Sequence, residues 1–332
     1  MVELRALLVM DRWAITRDMD ASLPTLSVVI PVYRSAAILP ELLRRLEPVL
    51  AMVASRSEIL LVDDASPDES WSAVEKLAAQ HRAVRGLSLG RNYGQHAAVL
   101  AGVLEARGDV VVTLDDDLQH PPEEIPKLLA KLAEGFDVVY GAPLVEQHGI
   151  LRDLASRVTK LALASAMGAE VARDVSAFRA FRTRLREAFR DYRSPYVSID
   201  VLLTWGTTRF AAVRVRHDPR RTGTSNYSFA RLVSHALNMA TGFSVAPLRF
   251  ASLVGFAFTV FGTGVLAYVL GRYLLEGTSV PGFPFIASVI AIFSGAQLFA
   301  LGIIGEYLAR MHFRMMGRPP FTVRARAPGS PE

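Results

Sequence analysis

The sequence predicts an α/β protein, a mostly parallel doubly wound sheet followed by a two-helix membrane hairpin. Three observations predict it. Short runs rich in Val, Ile and Leu alternate with amphipathic stretches from Leu26 to about residue 142. Polar residues stand at the end of these runs. Two long uncharged segments follow Leu248. Strands buried on both faces read as near-continuous apolar runs, and strand–helix alternation lays helices over a parallel sheet.

The 332 residues have room for one large domain or two smaller ones. Residues 1–24 read as an N-terminal extension, because Glu3, Arg5 and Asp11 break its apolar patch and no signal-peptide core or cleavage site follows. Strands are expected at 26–31, 58–64, 84–89, 109–116 and 137–142, and helices near 37–54, 69–80, 94–106 and 122–134. Open α/β sheets bind ligands at the carboxyl ends of their strands. That rule gathers Tyr33 with Ser35, Asp63 with Asp64, Arg91 with Asn92, and Asp115, Asp116 and Asp117 on one edge of a domain spanning 25–228.

Two stretches show apolar residues at helical spacing opposite basic ones. They are LRDLASRVTKLALASAMG, a helix at about 150–168, and FARLVSHALNMATGF, within a juxtamembrane segment 229–247. Both fit a helix packed on the sheet or one lying in a membrane interface. Phe250 to Gly271 and Gly277 to Gly305 carry no charge, against the roughly 20 apolar residues that span a bilayer. Transmembrane helices are therefore expected at about 250–272 and 282–306, within 248–310, and Gly255, Gly262, Gly264, Gly295 and Gly302 suit close helix packing in lipid. Arginines crowd both outer flanks, whereas the link between spans has only Arg272 and Glu276. The positive-inside rule then puts the sheet domain and both termini, including a basic tail at 311–332, in the cytoplasm of a multi-pass inner-membrane protein.

The hydrophobic fraction, 51 %, is high for a soluble chain, and the excess sits in these spans. A net charge of +5 suits anionic lipids or phosphorylated ligands, and without a nucleic-acid motif it argues against DNA or RNA as a partner. With no cysteine there is neither a disulfide framework nor a thiolate ligand or nucleophile.

TLDDDLQHPPEE, Thr113 to Glu124, sets three carboxylates at the end of an apolar run. If the strand continues, Asp115 and Asp117 point the same way and converge on one hard divalent cation, with Gln119 as a further oxygen ligand. An acidic turn capping the helix that begins at Pro121 and Pro122 is the alternative. His81, His96, His120 and His148 have no metal-ligand spacing and read as surface or packing residues.

The ordered set SVVIPVYRS, LLVDDASPDES, LGRNYGQHAAVLAG, TLDDDLQHPPEE and RRTGTSNYSF, with the span ending GAQLFALGIIGEYLAR, resembles inverting family 2 glycosyltransferases of the GT-A fold. Within them it is similar to the polyprenyl-phosphate branch, which includes dolichol-phosphate mannose synthases, bactoprenol glucosyltransferases and undecaprenyl-phosphate aminoarabinose transferases. The likeness runs from about Leu26 to Arg310. It implies transfer of a single sugar from a nucleoside diphosphate, by family habit UDP, to undecaprenyl or decaprenyl phosphate. Pro31, Tyr33, Ser35, Asp63, Asp64, Arg91, Asp115 and Asp116 would bind the donor, with Tyr33 against the base, Asp64 accepting from it and Asp116 at the ribose. Asp115, Asp117 and Gln119 would hold Mg²⁺ or Mn²⁺ on the diphosphate, which makes Asp117 catalytic. Asp174 would act as a base or orienting group, with Arg179 as its internal partner. Arg220, Arg221 and Ser225 would bind the lipid phosphate.

Three positions depart from the pattern. Asn226 stands where the branch has Lys, Ala65 where Gly is common, and Ser35 where an acidic residue is common. A processive polysaccharide synthase would need a Gln-x-x-Arg-Trp motif, and the one Arg-Trp pair, Arg12-Trp13, lacks the Gln. A non-catalytic membrane scaffold that binds nucleotide-sugars would not need the metal-ligand spacing. The Gly-rich spans and amphipathic helices suit a homo-oligomer, dimer or tetramer.

Overall fold

The computed structural model describes residues 23–143, 174–218, 246–276 and 282–329. The chain divides into two compact units, one holding the sheet and one holding the two long apolar helices. The expected helices at about 150–168 and 229–247 lie outside the described residues.

Eight strands form one sheet in the order β7-β5-β6-β4-β1-β2-β3-β8. β1 (Thr25–Val32), β2 (Arg56–Asp63), β3 (Val84–Leu89) and β4 (Val110–Thr113) are mutually parallel, as the apolar runs predict. β5 (Val138–Pro143) is parallel to β7 (Phe210–Val215), but β6 (Arg179–Arg182) runs antiparallel between β4 and β5. Helices α1 (Leu39–Val53), α2 (Ser70–Gln80) and α4 (Ile125–Ala133) cover one face. α3 (Gln95–Glu105) and α5 (Ile199–Thr204) cover the other. On α1 the buried Leu39, Leu42, Leu43, Leu46, Val49, Leu50 and Val53 follow the 3.6-residue period. Each such side chain contributes about 1.5–3 kcal/mol on burial.

β4 stops at Thr113, short of the strand expected to reach 116. The aspartates therefore sit on a turn, and the alternation expected of Asp115 and Asp117 does not operate. Leu118 completes that turn at φ 59°, and Arg34 and Ala65 take φ 59° and 52° after β1 and β2. Among the described residues, the three left-handed, non-glycine ones all follow strands on the carboxyl edge. Such conformations cost about 1–2 kcal/mol each and concentrate where function demands a particular backbone path. Ala65 bears this cost where glycine would not.

α6 (Ala246–Glu276) and α7 (Phe283–Met315) are the apolar pair, and both are longer than the expected spans. Leu248–Arg272 and Ile292–Met315 have mean hydropathies of 2.0 and 1.4, enough to cross a membrane by length and composition. Phe293 packs edge-on against Phe258, with ring centroids 5.4 Å apart, and fills the space a side chain at Gly262 would need. Side chains at Gly255, Gly264, Gly295 and Gly302 would meet nothing within 4 Å, so close packing of the two helices explains only Gly262.

The segment read as a basic tail is not one throughout. Val323–Ala327 forms β8, antiparallel to β3, and closes that edge of the sheet. Arg324 and Arg326 alternate with half-buried Val323 and Ala325, the pattern of an edge strand with one wet face.

Candidate active site

β1 lies between β4 and β2, so strand order reverses between β1 and β4. A crevice opens at such a reversal, and residues that follow both strands meet there. Asp116 accepts from the Tyr33 N–H at 3.2 Å and from the Ser35 hydroxyl, joining the two strand ends. A carboxylate at position 35 would face Asp116, so the serine is suited to this arrangement. Burial pushes the Asp116 carboxyl above its ordinary range, against the pull of these donors and helped by neighbouring Asp117. Ser35 is held in turn by its own N–H on the Ser70 hydroxyl, 2.9 Å away. Pro31 lies within β1, and Tyr33 is exposed with the Arg34 guanidinium 5.4 Å from its ring centroid.

Asp63 ends β2 fully buried, accepting from Ser66 N–H and the Ser88 hydroxyl, both at 3.1 Å. Asp64 accepts from the N–H groups of Tyr93 and Gly94 at 2.7 and 2.8 Å. Burial raises its carboxyl above the ordinary range, the two N–H donors oppose that, and the Asp63 charge adds to it. The Arg91 guanidinium lies over the Tyr93 ring, 4.7 Å from its centroid.

Asp115 accepts from the Gln95 side-chain amide at 2.6 Å, and Asp117 from the Gln119 N–H at 3.1 Å. Among the described residues no three His, Cys, Asp or Glu side chains gather as a metal cage. Asp115, Asp117 and the Gln119 amide still present a hard oxygen set on one turn. That set fits magnesium or manganese, which take few protein ligands and complete their shell with phosphate and water.

The segment Asp174–Phe178 enters β6, whose Arg179 pairs with Thr113, and the Thr113 hydroxyl donates to Ala177 at 2.6 Å. This carries Asp174 to the carboxyl edge of the sheet, on the β5 and β7 side of β6. Its partner is Arg214, at 3.2 Å, rather than Arg179. Arg179 is buried instead against Asp200, which also accepts from the Tyr140 hydroxyl at 3.0 Å.

After β7 the chain returns to the turn. The Asp218 N–H donates to the Gln119 carbonyl at 2.8 Å, and the His217 ring lies 4.8 Å from that of His120. His120 is buried against Phe178, and burial, with His217 beside it, holds its pKa at about 4. Its Nδ1 has no hydrogen-bond partner among the described residues. Arg220, Arg221, Ser225 and Asn226 lie outside the described residues, as does His148. His81 bonds Glu47 at 2.6 Å and His96 accepts from Ile199 at 3.5 Å, both away from metal-ligand roles.

Sequence reasoning missed Gln95, Ser70 and the Tyr93–Gly94 amides. Gly94, at φ 93° just before α3, is the signal that could have marked that loop.

The profile of "Glycosyl transferase family 2" matches residues 27–192. An undecaprenyl-phosphate 4-deoxy-4-formamido-L-arabinose transferase of Pseudomonas aeruginosa is 39 % identical over 300 residues, covering 90 % of this chain and 88 % of its own. The transferase of the same name from Klebsiella pneumoniae is 36 % identical, over 90 % and 92 % of the two chains. Among solved structures, mannosyl-3-phosphoglycerate synthase from Rubrobacter xylanophilus superposes with a TM-score of 0.52 at 19 % identity, over 70 % of this chain and 76 % of that one. Glucosyl-3-phosphoglycerate synthase from Mycobacterium tuberculosis, solved with Mn²⁺ and UDP, gives 0.50 at 20 % identity, over 66 % and 78 %. These two likenesses carry the fold, a GT-A sheet.

Proposed function

Because this chain belongs to glycosyl transferase family 2, in its polyprenyl-phosphate branch, we propose that it moves one sugar from a UDP-sugar to undecaprenyl or decaprenyl phosphate at the cytoplasmic face of the membrane. The observation that carries this reading is the junction at the strand reversal, where Asp116 accepts from the Tyr33 N–H and the Ser35 hydroxyl and so joins the ends of β1 and β4 beside the acidic turn. Arg220, Arg221 and Ser225 would bind the phosphate of the anionic acceptor.

A phosphate oxygen of the acceptor attacks the anomeric carbon while the bond from that carbon to the diphosphate breaks. The nucleoside diphosphate leaves with the bonding pair, and configuration inverts. A phosphate monoester with a second pKa of about 6 is already mostly ionised near neutrality, so little base help is needed. Asp174, paired with Arg214, orients rather than deprotonates. Asp115, Asp117 and Gln119 would hold Mg²⁺ or Mn²⁺, which supplies Lewis-acid stabilisation of the departing diphosphate. Asp64 accepts from the base, Tyr33 covers it, and Asp116 meets the ribose.

Chain connectivity supports the hairpin. β8 belongs to the sheet yet follows both apolar helices, so two crossings return the chain to the side it left. The arginine-rich flanks favour the cytoplasm as that side.

Membranes carrying the chain, incubated with labelled nucleotide-sugars and undecaprenyl phosphate, should yield labelled lipid that a chelator suppresses. Label in no lipid with any donor would sink the enzyme reading, and label in a long polymer would favour a processive synthase.

The raised Asp64 sets a pH dependence. A folded-state pKa above the unfolded one makes the ionised residue cost stability above that pKa, a cost relieved as pH falls through it. Donor binding runs the other way, because the base needs the ionised acceptor. Nucleotide affinity should weaken on acidification at a pH above the ordinary aspartate value of about 4. Titration calorimetry across pH checks this, and Asp64→Asn should flatten that limb.

A further inference from the structure

The strand that follows the apolar helices bonds residues that hold Asp63 and Asp64, the acidic pair at the end of β2. The Gly90 N–H donates to the Thr322 carbonyl at 2.8 Å, and the Thr322 hydroxyl pairs with the Tyr93 hydroxyl at 2.9 Å. A side chain at Gly90 would come within 2.6 Å of that Thr322 hydroxyl, so glycine permits the approach. Phe321 and Val323 pack, half-buried, into the same apolar cluster as Tyr93. The Tyr93 and Gly94 N–H groups are the ones that hold Asp64. Two residues along, the Arg324 guanidinium donates to the Ser88 hydroxyl at 3.2 Å, and Ser88 donates to Asp63 at 3.1 Å. Thr322 and Arg324 thus each stand one side chain away from an acidic residue of the Asp63–Asp64 pair. Ser88 and Asp63 are fully buried, where linked hydrogen bonds polarise and fix one another.

We infer that Thr322, supported by Arg324, is a positioning residue for nucleotide-donor binding, through which the chain returning from the membrane sets the Gly90–Gly94 loop and the Asp64 carboxylate. The inference rests on the donor site proposed above. Thr322 touches no reacting atom. Its loss leaves the acidic turn intact and acts on donor affinity alone.

The test uses the full chain in lipid nanodiscs. Donor KM and kcat, UDP binding by calorimetry, and amide exchange at residues 90–94 are measured for Thr322→Val and Thr322→Ser. A lost hydrogen bond of ordinary strength predicts a donor KM raised about fivefold in Thr322→Val, with kcat within about twofold. Exchange at Tyr93 and Gly94 should quicken. Thr322→Ser, which keeps the hydroxyl, should restore all three. Tyr93→Phe should match Thr322→Val, and the double variant should be no worse than either, because both remove one bond. An unchanged donor KM in Thr322→Val, with normal UDP binding by the parent chain, would overturn the role given to Thr322. A general loss of kcat and thermal stability that Thr322→Ser fails to restore would overturn it too. A parent chain that binds no UDP, while Thr322→Val still loosens residues 90–94, would overturn the donor reading itself and with it this role.

Discussion

Asp117→Ala should abolish sugar transfer while leaving membrane insertion and thermal stability near those of the parent chain. Asp117 is half-buried on the turn at the carboxyl edge and accepts from the Gln119 N–H. Removing a turn bond of that kind costs about 1 kcal/mol. The functional cost is far larger. Lewis-acid stabilisation of a leaving diphosphate is worth several kcal/mol, and about 4 kcal/mol is a thousandfold in rate. Radiolabel transfer to undecaprenyl phosphate, measured beside a protease-protection assay for insertion, separates the two effects. Turnover in Asp117→Ala at the parent's rate, with a chelator present, would remove the metal from this turn.

The largest expected loss of stability lies elsewhere, at the Arg179–Asp200 pair. Both side chains are buried, and Asp200 also accepts from Tyr140. Burial and the Asp200 charge push the Tyr140 phenol well above its usual pKa, so it remains a donor. The three residues tie β5, β6 and α5 together. Arg179→Met would strand the Asp200 charge in the core, at a cost of about 3–5 kcal/mol. For a domain of this size that lowers the melting temperature by roughly 10 °C. Arg179→Met combined with Asp200→Leu removes both charges and should recover much of the loss. Calorimetry of the three purified variants would show it. A single-variant loss below about 1 kcal/mol, or a double variant worse than the sum, would mean the pair is not electrostatically coupled.

The parallel half of the sheet was legible because Val28, Val29, Ile30, Leu60, Leu61, Val111 and Val112 are buried on both faces and read as unbroken apolar runs. Their carboxyl ends located the site without reference to any contact. The antiparallel strands were not legible. RAFR and VRARA span only four and five residues and carry two arginines each, which in sequence reads as loop or basic tail. The geometry of the acidic turn was misread for a related reason. Period-2 alternation holds only while a strand lasts, and β4 ends before the aspartates begin. Arg179 was assigned to Asp174 by nearness in sequence, whereas α5 brings Asp200 to it from twenty-one residues away. The departure at Ser35 was visible as a missing charge, and its fit with Asp116 needed the strand order to be seen.

The position of β8 also bears on biogenesis. A ribosome releases the chain from its amino end, so β1 to β7 can assemble while the edge of β3 still lacks its neighbour. That edge gains its partner only after both apolar helices have been synthesised. Until then its open backbone groups are a template for pairing with other chains. If the apolar pair spans the bilayer as proposed, both spans are made before the sheet edge beside the donor loop is complete, and the nascent protein would mature at the membrane.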